Sequence, residues 1–568
     1  MEQIDTTTDA SKRRQNFSVF MNQNQNSNNQ SDNQQIDTST NKDNVMNQND
    51  NINQQQNQQQ KNINQFEDDN QEQQEQRRHI FLPHHFTHAY QDVKTLLVTY
   101  VSVEEPKPFA FYNLLRDIVK INGLCENYKE LSFQPLQSYI QMQKPSRVKY
   151  ICDDIIKFII KSALKVETFF QNKDYIRVLR SQDVNQNVQT FTDQQCLVLI
   201  SCQFLCLFPH ISNQYELKNL KMPNPHTFIN ILTRAREPLK DNKKVKKLAF
   251  MFNYFEKELM KSLNYKPMSI NVRNVDIQMS DENEEQVKIQ RHMIDMEDYV
   301  HLDVEFWQQQ TDQHMQKQIT IEHIKRIEDH DDVTICDFAN SFIGGGALGN
   351  GLAQEEILFL IFPQMHVSTL ICERMADNEV IHFSNLKKYA DYKGYSITLE
   401  FVDLDEVKFL RQQRKDIVAL DAIKFKHKQT EAQFKIHHIL RELNKAFIAF
   451  AKIEDTKYLP ISTGKWGCGA FKGDPQLKFI IQWIAASAQN RPLIFNTFQD
   501  LTKIEKINEV IKILGKMNVG EAFKFLERYS ESAQEFHLFD SIIKMHEADE
   551  WERLKSKRKE QLAAQAMY

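Results

Sequence analysis

Residues 333–363 read VTICDFANSFIGGGALGNGLAQEEILFLIFP. The β-branched and apolar start, 333–338, predicts a strand, the glycines after it predict a tight loop, and 355–362 predict an apolar helix that Pro363 closes. A strand that turns through glycines into a helix is the arrangement in which backbone N–H groups and a helix dipole bind phosphate. Residues 464–473, GKWGCGAFKG, repeat it, and Asp474 as N-cap with Pro475 behind it opens a further helix to about residue 489. These two stretches hold nine of the thirteen glycines in 568 residues. Average glycine usage is about 7%, so a chain this sparing places glycine where backbone must turn tightly or approach a ligand. Two phosphate-sized cradles on one chain suggest a diphosphate.

Working outward from that stretch, further strands are expected at 380–383, 396–402, 417–422 and 493–498, interleaved with helical segments. Strands alternating with helices imply a layered α/β domain with a mixed or parallel sheet, whose ligands sit at the carboxyl ends of strands. Both glycine loops would open at such an end. The fold class expected is therefore α/β, with a catalytic domain over 267–568 that includes C-terminal helices. Ahead of it, 79–266 shows long amphipathic helical stretches and almost no glycine, which predicts an all-α accessory region. Residues 1–78 are dominated by Gln and Asn, with too few large apolar residues to offset the entropy of folding, so a disordered tail is expected there.

Composition narrows the function classes. With 71 basic and 76 acidic residues the net charge is −5, so no global polycation drives nucleic-acid binding. The eight cysteines show no CxxC pairing and the eighteen histidines no HExxH spacing, so neither a metal site, a cofactor nor a disulfide framework is expected. The N-terminus lacks the charged-then-apolar pattern of a secretory signal. The longest apolar run, 196–209, is too short for a span of about 20 residues and reads as a buried helix. Basic clusters at 243–247 and 555–559 read as solvated helix faces, and His84-His85 and His437-His438 as surface pairs.

The chemistry concentrates at Gln354-Glu355-Glu356. The glycine loops match neither GxGxxG nor the P-loop, which disfavours a Rossmann dehydrogenase and a P-loop NTPase. Glycine on one side and ILFLIF on the other place at least one carboxylate in or near the core, and burial raises a carboxyl pKa, as a general acid at neutral pH requires. Helix neighbours point about 100° apart, so the two acids cannot address the same bond. One acts; the other positions substrate.

The run Asp337-Phe338-Ala339-Asn340, then Gly344-Gly345-Gly346, then Gln354-Glu355-Glu356 resembles the signature of the poly(ADP-ribose) glycohydrolases. Residues 463–474, TGKWGCGAFKGD, resemble a second segment of that family, and 389–395 and 417–422 fit it in order. The similarity spans roughly 79–528. It implies a macrodomain that binds ADP-ribose behind a helical region, and hydrolysis of ribose–ribose O-glycosidic bonds in poly(ADP-ribose). By that resemblance Glu356 is the catalytic acid, Glu355 and Asn340 hold ribose hydroxyls, and Asp337 supports the loop. Gly344, Gly345 and Gly346 together with Gly469, Ala470 and Phe471 would wrap the diphosphate, and Ile327, Glu328, Gln354, Tyr395 and Phe498 would receive adenine. The expected partners are the polymer and poly(ADP-ribosyl)ated proteins, met by a monomer in nucleus or cytoplasm without membrane or sequence-specific nucleic-acid contact. The alternative is a macrodomain reader that binds ADP-ribose without cleaving it.

Overall fold

Short apolar runs buried on both faces, such as Lys415–Asp421 (KDIVALD), assemble into one sheet. The computed structural model describes residues 79–171, 173–183, 187–209, 222, 227–233, 242–263, 285–453, 458–498, 504–532 and 537–566. The tail expected over 1–78 lies outside them. Eight strands form the main sheet among the described residues: β1 Val188–Thr192, β2 Gln286–Met293, β3 Ile319–Glu322, β4 Thr334–Ala339, β5 Glu379–Leu386, β6 Lys415–Asp421, β7 Ile461–Gly464 and β8 Leu493–Asn496. Their order in space is β1-β2-β5-β6-β4-β7-β8-β3. Neighbours from β6 to β3 are parallel, and those from β1 to β6 are antiparallel.

Register decides where the loops emerge. Ile461 lies opposite Thr334 and Asp421 opposite Ala339, so β7, β4 and β6 run side by side in one direction. The loops after β4 and β7 therefore leave the same edge of the sheet. The β4 loop leads into α3, Gln354–Ile361, and the β7 loop into α5, Pro475–Ala488. Asp474 caps α5 as expected, accepting from the N–H groups of Gln476 and Leu477 at 2.9 Å. Helix α4, Ile436–Ala449, packs against α5, β5 and β6.

Three expectations change. Residues 79–266 are not all-α: His79–Phe81 pairs antiparallel with Tyr175–Arg177, and β1 extends the main sheet. The partner of β1 is β2, far away in the chain, so the pairing left no local signal. The candidate at 396–402 splits into a 3₁₀ turn, Ser396–Thr398, and a strand, Glu400–Asp403, that pairs with Ala390–Lys393 outside the main sheet. The basic cluster 243–247 is not a solvated face. It opens helix α2, Lys243–Ser262, in which Lys244 and Lys247 are buried. The apolar run at 196–209 does form a buried helix, α1, Asp193–Phe204. No helix among the described residues is long and apolar enough to cross a membrane.

Buried charges tie β2 to β5 and fasten α1 beside the start of β6. Arg291 and Glu379, both fully buried, pair at 2.8 Å, and Arg414 pairs with buried Asp193 of α1 at 2.7 Å. Removing one partner of such a pair leaves an uncompensated buried charge at a cost of about 3–5 kcal/mol.

Candidate active site

The start of α3 presents its first-turn acids to the loop that precedes it. Glu355 accepts from the N–H groups of Asn340 at 3.0 Å and Gly344 at 2.7 Å. Glu356 accepts from Gly346 at 2.9 Å and from Ala353 at 2.6 Å. Both side chains are buried. The glycine loop is thus folded around two carboxyl groups, and its sequence follows from their closeness. A Cβ on Gly345, whose φ is +46°, would lie 2.6 Å from Glu355 Oε2, and one on Gly351 would lie 2.6 Å from Glu356 Cδ. Only glycine admits that approach.

This alters the expected role of the first loop. The N–H groups of Gly344 and Gly346 serve the two carboxyl groups, and that of Gly345 donates to Phe342 O at 3.0 Å. They hold the acids in place. The second loop differs: no hydrogen bond among the described residues engages the N–H groups of Gly469, Ala470 or Phe471, and Gly469 and Ala470 are exposed. A Cβ on Gly469 would meet nothing within 4 Å. The fold makes no steric demand for glycine there.

Asp337, on β4, completes the acidic group. It is fully buried, and neither carboxyl oxygen has a hydrogen-bond partner. Burial, and then the charge of Glu356, hold it well above the usual carboxylate range. Burial also raises Glu355, followed by Asp337 and Glu356, against the pull of the Asn340 and Gly344 N–H groups. Burial and mutual repulsion thus favour the protonated forms of Asp337 and Glu355.

The remaining predicted residues fall into two places. Ile327 and Glu328 are buried in a 3₁₀ turn whose carbonyl at Ile327 accepts from Ser462 Oγ at 2.8 Å. Glu328 accepts from Tyr392 OH at 2.5 Å, and burial raises its carboxyl. Gly464 brings Ile327 and Phe498 together: a Cβ there would sit 3.1 Å from Phe498 Cε2 and 3.5 Å from Ile327 Cδ1. Phe498 is exposed beside Gly464. Gln354 is tied to β4, its Oε1 accepting from Phe338 N at 2.8 Å and its Nε2 donating to Cys336 O at 2.9 Å. Tyr395 is exposed, and its phenol is raised by burial of its hydroxyl end and by Glu356, while the Gln354 N–H donates to it. Tyr395 therefore stands at the α3 N-terminus beside the acids.

Sequence reasoning missed Lys247. From α2 its Nζ donates to Gly346 O and Ala347 O, both at 2.8 Å, so a cation of the helical region clamps the loop that holds Glu356. Burial pushes its ammonium down to about 7, with the charge of Glu356 acting in the opposite sense. A signal was present: Lys244 and Lys247 lie three apart on the stripe that continues through Leu248 and Met251, which is the buried face of an amphipathic helix.

A sheet whose parallel strands deliver one loop of clustered acids and one loop of open N–H groups defines a macrodomain-type ligand site backed by helices. Two family models match, the helical domain of poly(ADP-ribose) glycohydrolase over residues 142–291 and its Macro domain fold over 304–506. The chain belongs to the poly(ADP-ribose) glycohydrolase family. It is 37% identical over 236 residues to poly(ADP-ribose) glycohydrolase 1 of Caenorhabditis elegans and 34% over 232 residues to glycohydrolase 2 of that organism. Those matches cover 38% and 37% of this chain but only 30% and 47% of the two relatives. A probable poly(ADP-ribose) glycohydrolase 2 of Arabidopsis thaliana is 24% identical over 433 residues, covering 66% of this chain and 77% of that protein.

Proposed function

We propose that this protein hydrolyses the ribose–ribose O-glycosidic bonds of poly(ADP-ribose) and releases ADP-ribose, with Glu356 as the acid and base. The observation that carries the reading is the position of Glu356. It is a buried carboxyl at the amino end of α3, held by Gly346 and Ala353 beside two further acids, Asp337 and Glu355, whose carboxyls burial raises. A module that only binds ADP-ribose has no use for such a cluster.

In this reading adenine lies on the floor made by Ile327, Gly464 and Phe498, and the diphosphate takes the open N–H groups of Gly469, Ala470 and Phe471. Asn340 and Glu355 then face the ribose at the reacting centre. Glu356 gives its proton to the leaving ribose oxygen as the C–O bond breaks, and an oxocarbenium-like centre develops at the anomeric carbon. Glu356, now ionised, takes a proton from water as the water oxygen bonds to that carbon, which restores the acid. Glycosidases ordinarily separate two carboxyl groups by about 5–9.5 Å. Here adjacent acids on one helix leave a single residue to do both steps.

Glu356→Gln keeps the shape and loses the proton. It should bind ADP-ribose and lose turnover by about 10²–10⁴-fold. Incubation with labelled polymer, resolving monomeric ADP-ribose, measures this; a variant that releases ADP-ribose at the wild-type rate would remove Glu356 from the mechanism. No release by the wild-type protein would instead favour the reader.

A further inference from the structure

The strand order sets the order of the subsites. The floor for a base lies at the ends of β8 and β7, the acids follow at the end of β4, and the next strand outward is β6. Neighbouring strands are about 4.8 Å apart, so each step across the sheet moves a bound chain by a fraction of a nucleotide. Beyond the acids, where β4 and β6 end, is a cavity of about 980 Å³. It shares Asn340 and Phe471 with the site described above, and its other walls include Arg374, Lys424, His437 and His438. The histidine pair that the sequence reading left on a surface is therefore a wall of this cavity, its rings 4.1 Å apart.

The charges in the cavity are unevenly committed. Its acids have partners: Asp377 and Asp421 pair with Arg441 at 2.9 and 2.8 Å, and Glu373 accepts from Ser181 N at 3.0 Å. Arg374 and Lys424 form no ion pair among the described residues. The Arg374 guanidinium donates to Ser341 Oγ at 3.2 Å and lies over the Phe342 ring, and the Lys424 ammonium lies over Phe471. Two cations without counter-ions, beside a wall of imidazoles, suit a dianion carried on a nucleotide-sized group.

We infer that this cavity holds the repeat on the far side of the scissile bond, with its diphosphate against Arg374 and Lys424. The inference rests on the glycohydrolase reading, because only a polymer places a second diphosphate there. The leaving ribose would depart from Glu356 away from the base floor, and the topology puts the cavity in that direction.

The test uses the full chain carrying Glu356→Gln, so that a two-repeat oligomer of ADP-ribose survives titration, with monomeric ADP-ribose as the reference ligand. The dimer should bind at least about tenfold tighter than the monomer, from two charge-assisted contacts. Adding Arg374→Ala and Lys424→Ala should remove that excess and leave the monomer affinity within about twofold. Equal affinities for dimer and monomer before the added substitutions, or an excess that survives them, would overturn the inference. So would a monomer affinity that falls with the dimer's, because the cavity would then belong to the terminal unit. The glycohydrolase reading fails separately, through absence of ADP-ribose release by the wild-type chain.

Discussion

Gly351→Ala isolates Glu356 without touching it. The backbone of Gly351 lies outside the left-handed region, so alanine brings no strain of its own, and the three atoms nearest its Cβ would all be in the Glu356 side chain: Oε1, Cδ at 2.6 Å and Cγ at 2.9 Å. Carbon atoms rest about 3.5–4.0 Å apart, so the carboxyl must retreat by about 1 Å. That retreat breaks its bonds to Gly346 and Ala353. Misplacement of a catalytic group by about 1 Å costs about 10²-fold in rate. Losing two hydrogen bonds costs about 0.5–1.5 kcal/mol each. The expected outcome is a kcat for ADP-ribose release from polymer about 10²-fold below wild type, with ADP-ribose affinity within about tenfold. Steady-state turnover, calorimetry and a urea midpoint on one preparation separate these effects. The double variant with Glu356→Gln should be no slower than Glu356→Gln alone, because both changes act through one group. Wild-type turnover by Gly351→Ala, or additive losses in the double variant, would refute the placement of the acid.

Gly469→Ala is the complementary probe: with nothing within 4 Å of its Cβ, it should leave the urea midpoint unchanged or raise stability by about 0.4–1 kcal/mol, yet weaken ADP-ribose binding in calorimetry. Undiminished affinity would mean that the second loop does not approach the diphosphate. Asp337→Asn should flatten the pH dependence of stability. The folded carboxyl is raised above its unfolded value of about 3.9, so its contribution is full below that value and declines as pH rises toward the folded value, by up to about 1.4 kcal/mol per pH unit. Urea midpoints from pH 5 to 9 should fall more steeply for wild type than for the variant, and parallel curves would count against the assignment. Lys247→Met removes the donor from two buried loop carbonyls, each worth about 1–3 kcal/mol when left unpaired. Because Lys247 titrates near 7, kcat should fall and lose an inflection near that pH; a profile with the wild-type shape would confine Lys247 to a structural role.

Local chemistry explains which parts of this architecture were legible in the sequence. The β4 strand, the glycine loop and the apolar helix are consecutive, so patterning and turn residues specify them without knowledge of the rest of the chain. The cap at Asp474 is equally local. Pairing between remote segments is not: β1 and β2 carry mixed polar sequences, VQTFT and QVKIQRHM, whose extended state is settled by one another across the sheet rather than by their own composition. The two-strand ribbon at Ala390–Lys393 and Glu400–Asp403 has the same origin.

The same distinction applies within the site. Glycines near an acid pair suggest an anion cradle, because the sequence shows that N–H groups are available but not what they face. Once the first loop closes on Glu355 and Glu356, its donors at Asn340, Gly344, Gly346 and Ala353 are satisfied by the protein's own carboxyl groups. A second anion brought to Gly344 or Gly346 would compete with those carboxyl groups for the same donors. In the proposed reading the diphosphate is therefore left to the second loop, where no hydrogen bond among the described residues engages the N–H groups of Gly469, Ala470 and Phe471. The two glycine stretches look alike in sequence because both require close approach. In the first loop the approaching groups are the carboxyls of Glu355 and Glu356. In the second, nothing of the protein lies within 4 Å of the Gly469 Cβ position, and the proposed reading gives that approach to the ligand.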